Sequence, residues 1–380
     1  MSLRASKDLH AGGPVDEPAL PARLRARIRE SGPLTFRDWM SAALYDGRGG
    51  YYRRRDAERW GRSGDYRTAP ERSALFAATF ARHFAQLYEE LGRPRVFHLL
   101  EAGGGAGRFA HGVLKTLQRD APQVYEAVRY VFDEAGADSR RRAAELLKPF
   151  AGCVEFRPLS GIDGKLEPAI LFSNELLDAF PVHRVTVRDG RLLESYVGLS
   201  DDGRFVFVEA DPSTPRLAAH FERLGVTLME GQVAEVNLEL SGWLARAATV
   251  VGSGLVVTVD YGDEAGALYG APHRRGGTLR AFRRHEFVDD LLGDPGGQDL
   301  TTTVNWTQVI EEGERLGLRA RPLERLDAFL LRAGIVEQLE LESAHASTEA
   351  DLAALRLDAR ELILPGRLAS HFQVLIQHKN

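Results

Sequence analysis

Val96-Phe97-His98-Leu99-Leu100-Glu101-Ala102-Gly103-Gly104-Gly105-Ala106-Gly107 is the stretch that decides the fold. The apolar run Val96–Leu100 reads as a buried strand. Phe109, Val113, Leu114 and Leu117 then recur at helical spacing, so an amphipathic helix follows. Strand, glycine turn and helix together form the first unit of a nucleotide-binding α/β sheet. The glycines let the backbone turn sharply and approach a ligand with no Cβ in the way.

The turn also narrows the ligand. A dinucleotide fingerprint has glycine at its first, third and sixth positions. Counted from Gly103, the sixth position is Arg108, so a nicotinamide or flavin dinucleotide is the weaker reading. The pattern is instead acid-x-Gly-x-Gly-x-Gly. A carboxylate at Glu101 would repel a pyrophosphate, whereas it suits the amino group and sulfonium of S-adenosylmethionine. A plain structural turn stays open as the alternative.

Composition sets outer limits. The chain has 380 residues, 49 Lys and Arg against 54 Asp and Glu, and a formal net charge of −5. Without a basic excess, nucleic acid is not expected as a partner. No apolar stretch is long enough to span a membrane, so no membrane partner is expected either. The single cysteine, Cys153, excludes an internal disulfide and points to a reducing compartment, the cytoplasm. It is expected as a buried structural thiol at the start of a strand. No metal is expected.

The chain divides into five stretches. Residues 1–17 read as a flexible tail without a targeting pattern. Residues 18–92 read as a helical N-terminal cover, with one helix near Pro18–Glu30, one capped by Thr35, and a long one starting near Pro70 and ending near Glu90. Residues 93–181 hold the first part of the sheet. Its second strand, Ala127–Asp133, ends in Asp133-Glu134, where an acid can bind ribose hydroxyls. The fourth, Ala169–Ser173, opens into Asn174-Glu175-Leu176-Leu177-Asp178-Ala179-Phe180-Pro181. Residues 182–252 read as an insertion: a β-meander turning at Asp189-Gly190 and Asp202-Gly203, then helices over 215–224 and 233–250. Residues 253–380 resume the sheet with Gly254–Val259, ending in Asp260-Tyr261-Gly262.

Three strand ends thus carry chemistry: Glu101, Asn174-Glu175 and Asp260-Tyr261. If the turn after the fourth strand is helical, Glu175 and Asp178 share one face. Paired carboxylates suit a cationic or hydrogen-bond-donating acceptor, and could hold a guanidinium in bidentate fashion. Local capping or salt bridging is the structural alternative for Asp178, and His183 reads as structural rather than catalytic.

These residues resemble the MidA family of class I S-adenosylmethionine-dependent methyltransferases, which includes the mitochondrial complex I assembly arginine methyltransferase. The resemblance runs from about Leu24 to the C-terminus. It rests on Gly49-Gly50-Tyr51-Tyr52, Gly64-Asp65-Tyr66-Arg67-Thr68-Ala69-Pro70-Glu71, the loop from Glu101, Glu134, and above all Asn174 to Val182. Glu235-Val236-Asn237, Asp260-Tyr261-Gly262, Gly277 to Phe282, Asp299-Leu300-Thr301 and Phe372 to Gln377 add to it. It implies a Rossmann-like class I methyltransferase sheet with a helical N-terminal cover and an inserted meander. It also implies S-adenosylmethionine bound by Glu101, Gly103, Gly105, Gly107 and Glu134, with Thr68 and Pro70 folded over the pocket. Asn174, Glu175 and Asp178 would face the acceptor. One departure stands out: Thr302-Thr303-Val304-Asn305-Trp306 replaces the family's usual Ala-His-Val-Asp-Phe, removing a histidine and an acid near the expected acceptor side.

The leading expectation is methylation of a protein side chain, arginine first. A small-molecule or modified-peptide acceptor, and an assembly factor that keeps the cofactor fold without turnover, are the alternatives. A homodimer stays open.

Overall fold

The computed structural model describes residues 18–54, 73–283 and 286–380. Thr68, Pro70 and the rest of the Gly64–Glu71 motif lie outside the described residues, as does the 1–17 stretch. The central sheet runs β3-β2-β1-β4-β5-β6. Here β1 is Phe97–Ala102, β2 Val128–Asp133, β3 Val154–Phe156, β4 Ala169–Asn174, β5 Gly254–Asp260 and β6 Gln373–Lys379. The first five are parallel. β6 runs antiparallel to β5, with Asp260 opposite Gln373, and its far edge pairs with the short strands Arg319–Ala320 and Glu324–Arg325. The chain leaves β1 toward β2 on one side and returns to β4 on the other. A crevice therefore opens at the carboxyl ends of β1 and β4, where such sheets bind ligands.

Alternation along the strands builds a core on each face. Leu99, Ile170, Phe172 and Val257 point to one, with Phe80, Phe109 and Phe329. Leu100, Leu171 and Val256 point to the other, with Leu240, Leu244 and Trp306. Burial on both faces is why these strands read as continuous apolar runs. Phe109 and Phe172 stack with centroids 4.3 Å apart, fixing the helix after the glycine turn on the sheet. Truncating either to alanine would cost about 3–5 kcal/mol.

Ahead of the sheet, α1 (Leu20–Ser31) buries Leu20, Leu24 and Ile28. In α2 (Phe36–Tyr45), Thr35 caps the helix by accepting from the Asp38 N–H. The long helix α3 (Ala74–Glu90) begins later than the Pro70 expectation, because Ser73 accepts from the Phe76 N–H and acts as its cap. α4 (Arg108–Asp120) follows the glycine loop and buries the four residues whose spacing announced it.

The segment after β4 forms a second sheet. His183–Arg188 and Arg191–Leu199 turn through Asp189-Gly190 (φ +52° and +70°), and Phe205–Ala210 pairs onto the second of them. Leu34–Thr35 from the N-terminal region also pairs here, opposite Val197 and Tyr196. Phe36 packs on Phe207 at 5.7 Å, so the two regions share one apolar cluster. The expected helix over 233–250 is corrected. Val233–Val236 is a strand paired with His183–Arg188, and only Glu239–Val250 is helical. Valines favour the pleated, half-buried position, and the Asn237 carboxamide accepts from the Leu240 N–H to start the helix after it. Cys153 is also corrected. It lies just before β3, partly exposed, with its thiol directed to the Phe150 carbonyl.

Candidate active site

Two groups of carboxylates line the carboxyl edge of the sheet. The first belongs to β1 and β2. Glu101, 5% exposed, accepts from the Tyr130 hydroxyl at 2.7 Å. After it the loop takes φ of +74°, +56° and +82° at Gly103, Gly105 and Gly107. The N–H groups of Gly103 and Gly104 both donate to the Asp133 carbonyl, at 2.9 and 3.0 Å. A Cβ at Gly104 would fall 2.3 Å from the Phe132 ring, so no larger residue keeps this path. Glu134 bridges the loop: its Oε2 accepts from the Gly105 N–H at 2.9 Å and its Oε1 from the Gly136 N–H at 2.5 Å. Asp133 turns away and accepts from the Leu159 N–H. Of the two acids at this strand end, Glu134 is therefore the one at the glycine loop.

The second group belongs to β4 and β5. The turn after β4 is not helical, which corrects that expectation: Glu175 has φ +48°, a left-handed conformation uncommon outside glycine and costly to hold. Its N–H donates to the Val259 carbonyl at 2.9 Å, so β5 holds the turn. The Asn174 amide donates to Glu175 Oε1 at 3.0 Å. Asp178, 4% exposed, accepts from the Tyr261 hydroxyl through Oδ2 at 2.6 Å. Among the described residues its Oδ1 is buried with no partner. Asp260 is fully buried and anchors the same turn, accepting from the N–H groups of Leu177 (3.0 Å) and Tyr261 (2.9 Å). Glu175 and Asp178 lie together through strand-end geometry rather than along a helix face, and Asp260 joins them from β5.

Electrostatics separates this second group from ordinary surface acids. Burial, and then the charge of Asp178, pushes Glu175 up to about 8. Burial and the nearby Asp299 charge raise Asp178, against the Tyr261 hydrogen bond. Asp260 is held well above the carboxylate range by burial and by its two acidic neighbours. Among the described residues, no lysine or arginine pairs with Glu175, Asp178 or Asp260. Crowded carboxylates without a cation keep protons they would otherwise lose.

Tyrosines from the N-terminal region roof the crevice. Tyr45 donates to the Ala179 carbonyl at 2.9 Å and stacks on Tyr52 at 5.3 Å. The Tyr52 hydroxyl reaches Asp299 at 2.8 Å, and its carbonyl lies where a Cβ on Gly136 would come within 2.7 Å. Their roles were not read from the sequence. The signal available was aromatic density beside Gly49-Gly50, a turn that returns α2 to the sheet. The departure at Thr302–Trp306 resolves into separate jobs. Thr302 donates its N–H to the Asp178 carbonyl at 2.9 Å, so the stretch does border the acidic turn. Asn305 instead caps the next helix, accepting from the Gln308 N–H at 3.1 Å. His183 pairs with the buried Glu194 at 2.7 Å inside the meander, as a structural residue would. Among the described residues no helix is long and apolar enough to cross a membrane.

The donor set fits S-adenosylmethionine. A cradle free of side chains adjoins two strand-end acids, Glu101 and Glu134, that can meet an ammonium and hydroxyls. When bound, the cofactor supplies an electrophilic methyl on a sulfonium. A partnerless carboxylate oxygen waits on the neighbouring strand end.

Comparison with known proteins agrees. Residues 79–323 match the family described as "Putative S-adenosyl-L-methionine-dependent methyltransferase". A Drosophila melanogaster protein named "Protein arginine methyltransferase NDUFAF7 homolog, mitochondrial" is 28% identical over 384 residues, covering 94% of this chain and 84% of its own length. The human "Protein arginine methyltransferase NDUFAF7, mitochondrial" is 24% identical, over 86% of this chain and 76% of its own. Among solved structures, a COG1565 superfamily member from Burkholderia thailandensis, bound to S-adenosyl-homocysteine, superposes with a TM-score of 0.82 at 28% identity. It covers 95% of this chain and 92% of its own. The chain belongs to this family, the MidA methyltransferases, and is an S-adenosylmethionine-dependent methyltransferase of class I fold.

Proposed function

We propose that the acceptor is the guanidinium of a protein arginine, held at the ends of β4 and β5. The observation that carries this reading is the buried Asp178 Oδ1, which among the described residues lacks a partner beside Glu175, in a group of acids that no described lysine or arginine pairs with. A guanidinium offers several N–H donors in a fixed fork and a charge that the group lacks. Asn174 orients Glu175, while Glu175 and Asp178 hold the acceptor and take up the proton released on methylation. Glu101, Gly103, Gly105, Gly107 and Glu134 bind the cofactor. Methyl transfer is an in-line displacement, so the chain's main task is to align donor and acceptor. The names carried by the animal relatives support arginine as the acceptor.

The test uses S-adenosylmethionine with a labelled methyl group and protein extract from a strain lacking the gene. Label in methylarginine after acid hydrolysis supports the reading. Label confined to the small-molecule fraction overturns it in favour of a metabolite acceptor. Glu175→Gln should keep S-adenosylhomocysteine affinity and lose turnover; weakened cofactor binding would move Glu175 to the cofactor pocket instead. No label with the wild-type enzyme and bound cofactor would favour the assembly factor.

Two further readings accompany this one. The single cysteine supports a reducing compartment, the cytoplasm, although the similar animal proteins carry "mitochondrial" in their names. The edge strand Phe205–Ala210, paired on one side among the described residues, supports a homodimer through the meander, which sedimentation of the purified protein would test.

A further inference from the structure

Asp299 and Tyr52 are absorbed by none of the roles above. Asp299 opens the strand Asp299–Thr301, which pairs antiparallel with Arg280–Arg283, Asp299 standing opposite Phe282. Its neighbour Leu300 is fully buried in the cluster shared by α1 and α2, so the strand is anchored to the N-terminal region. Asp299 itself is 5% exposed. Its Oδ1 accepts from the Tyr52 hydroxyl at 2.8 Å and from the Leu300 N–H at 2.9 Å. Added to the effect of burial, its charge raises Glu175 and Asp178 after β4, and the Tyr45 phenol as well.

We propose that Asp299 is an additional acceptor-binding carboxylate and that Tyr52 is its positioning residue, so that the N-terminal region completes the acceptor site rather than merely covering it. This inference rests on the cationic-acceptor reading above. An acidic cluster alone would not carry it. The independent observation is Asp178 Oδ1, buried in the same cluster without a partner among the described residues. A guanidinium reaching that oxygen still has N–H groups to place, and Asp299 is the next carboxylate whose field is felt there. Tyr52 is well placed to set its angle. One end of the Tyr52 side chain is held by Tyr45, which is itself bonded to the Asp178-bearing turn through the Ala179 carbonyl. The Tyr52 backbone abuts Gly136, beside the glycine loop's partner Glu134. One tyrosine thus touches the elements that bear the cofactor-side acid and the acceptor-side acids.

The probe is an acetylated, amidated Gly-Arg-Gly peptide and its citrulline counterpart, titrated calorimetrically into full-length enzyme saturated with S-adenosylhomocysteine. Citrulline keeps the shape and most donors but loses the charge. Wild type should prefer the arginine peptide by about tenfold or more. Asp299→Asn should reduce that preference about tenfold while leaving affinity for the citrulline peptide and for S-adenosylhomocysteine unchanged. Tyr52→Phe should lower the arginine preference by about threefold, and adding it to Asp299→Asn should cost nothing more, since its hydroxyl positions Asp299. Asp299→Asn with wild-type preference overturns the proposal and leaves the cationic-acceptor reading intact. Equal binding of the two peptides by wild type, or binding of neither, overturns that reading and this proposal with it. Unchanged cofactor affinity in Tyr52→Phe guards against misfolding, since loss of one hydroxyl leaves the ring stack in place.

Discussion

The two ends of the crevice handle their carboxylates in opposite ways. At β1 and β2, Glu101 and Glu134 accept from a tyrosine hydroxyl and from two backbone N–H groups. The first bond joins β1 to β2, and Glu134 ties the end of β2 to the glycine loop. At β4 and β5, Glu175, Asp178 and Asp260 crowd one another, one oxygen has no partner among the described residues, and all three are raised. The first arrangement is pre-organised: the loop has its shape before a ligand arrives. The second is left electrostatically incomplete, and a cation would complete it. On the proposed roles, a single sheet edge thus separates a fixed cofactor cradle from an acceptor site whose charge state depends on its ligand.

Substitutions should break this contrast in order of size. The largest effect is expected at Asp178. Changing Asp178→Asn removes the charge that faces the acceptor, and truncating one partner of a buried charged contact costs about 3 kcal/mol, roughly a hundredfold in kcat/KM. Affinity for S-adenosylhomocysteine should stay within about twofold, because the cradle is built by other strands. Next is Gly107→Val. Gly107 has φ +82° and its Cβ would meet Ala143 at 2.9 Å, so strain of about 1–3 kcal/mol should weaken cofactor binding about tenfold or more. Calorimetry with S-adenosylhomocysteine checks both.

A smaller effect concerns stability. Glu175 and Asp178 are acids whose folded values are raised, so the native state holds protons that the unfolded chain gives up. Stability of the ligand-free enzyme should therefore fall as pH rises from about 4, the unfolded value, through about 8, the Glu175 value. Asp178→Asn should flatten that slope. At pH 8 it should raise Tm by a few degrees, corresponding to about 1 kcal/mol. Denaturation followed across this pH range would read it, and an unchanged slope would remove the crowding argument.

How much of this was legible beforehand follows from chain locality. The glycine loop, its strand and its helix are adjacent in sequence, so periodicity and turn chemistry exposed them together. Glu134 was legible for a similar reason: an acid at the end of the next strand has a fixed relation to the loop in a parallel sheet. The acceptor side was only half legible. Asn174 to Pro181 announced itself by composition, but its helical turn was a misreading. Spacing says nothing of the β5 carbonyl that holds Glu175 in a left-handed conformation. Tyr52 and Asp299 meet across most of the chain through a side-chain hydrogen bond and a shared apolar cluster, which no window of sequence reports. Val233–Val236 reads as helix from the sequence because the strand that pairs with it, His183–Arg188, is equally remote.

The most direct test of the contrast is the proton count on acceptor binding. The Gly-Arg-Gly peptide is titrated into S-adenosylhomocysteine-bound enzyme at pH 7 in two buffers of different ionisation enthalpy. The account expects a buffer-dependent heat corresponding to about one proton released, because a bound guanidinium allows a raised carboxyl to ionise. The same titration well above pH 8 should show almost none. Binding of the peptide with identical heats in both buffers at pH 7 would contradict it, and would mean that the acids of β4 and β5 are structural rather than poised for a cation.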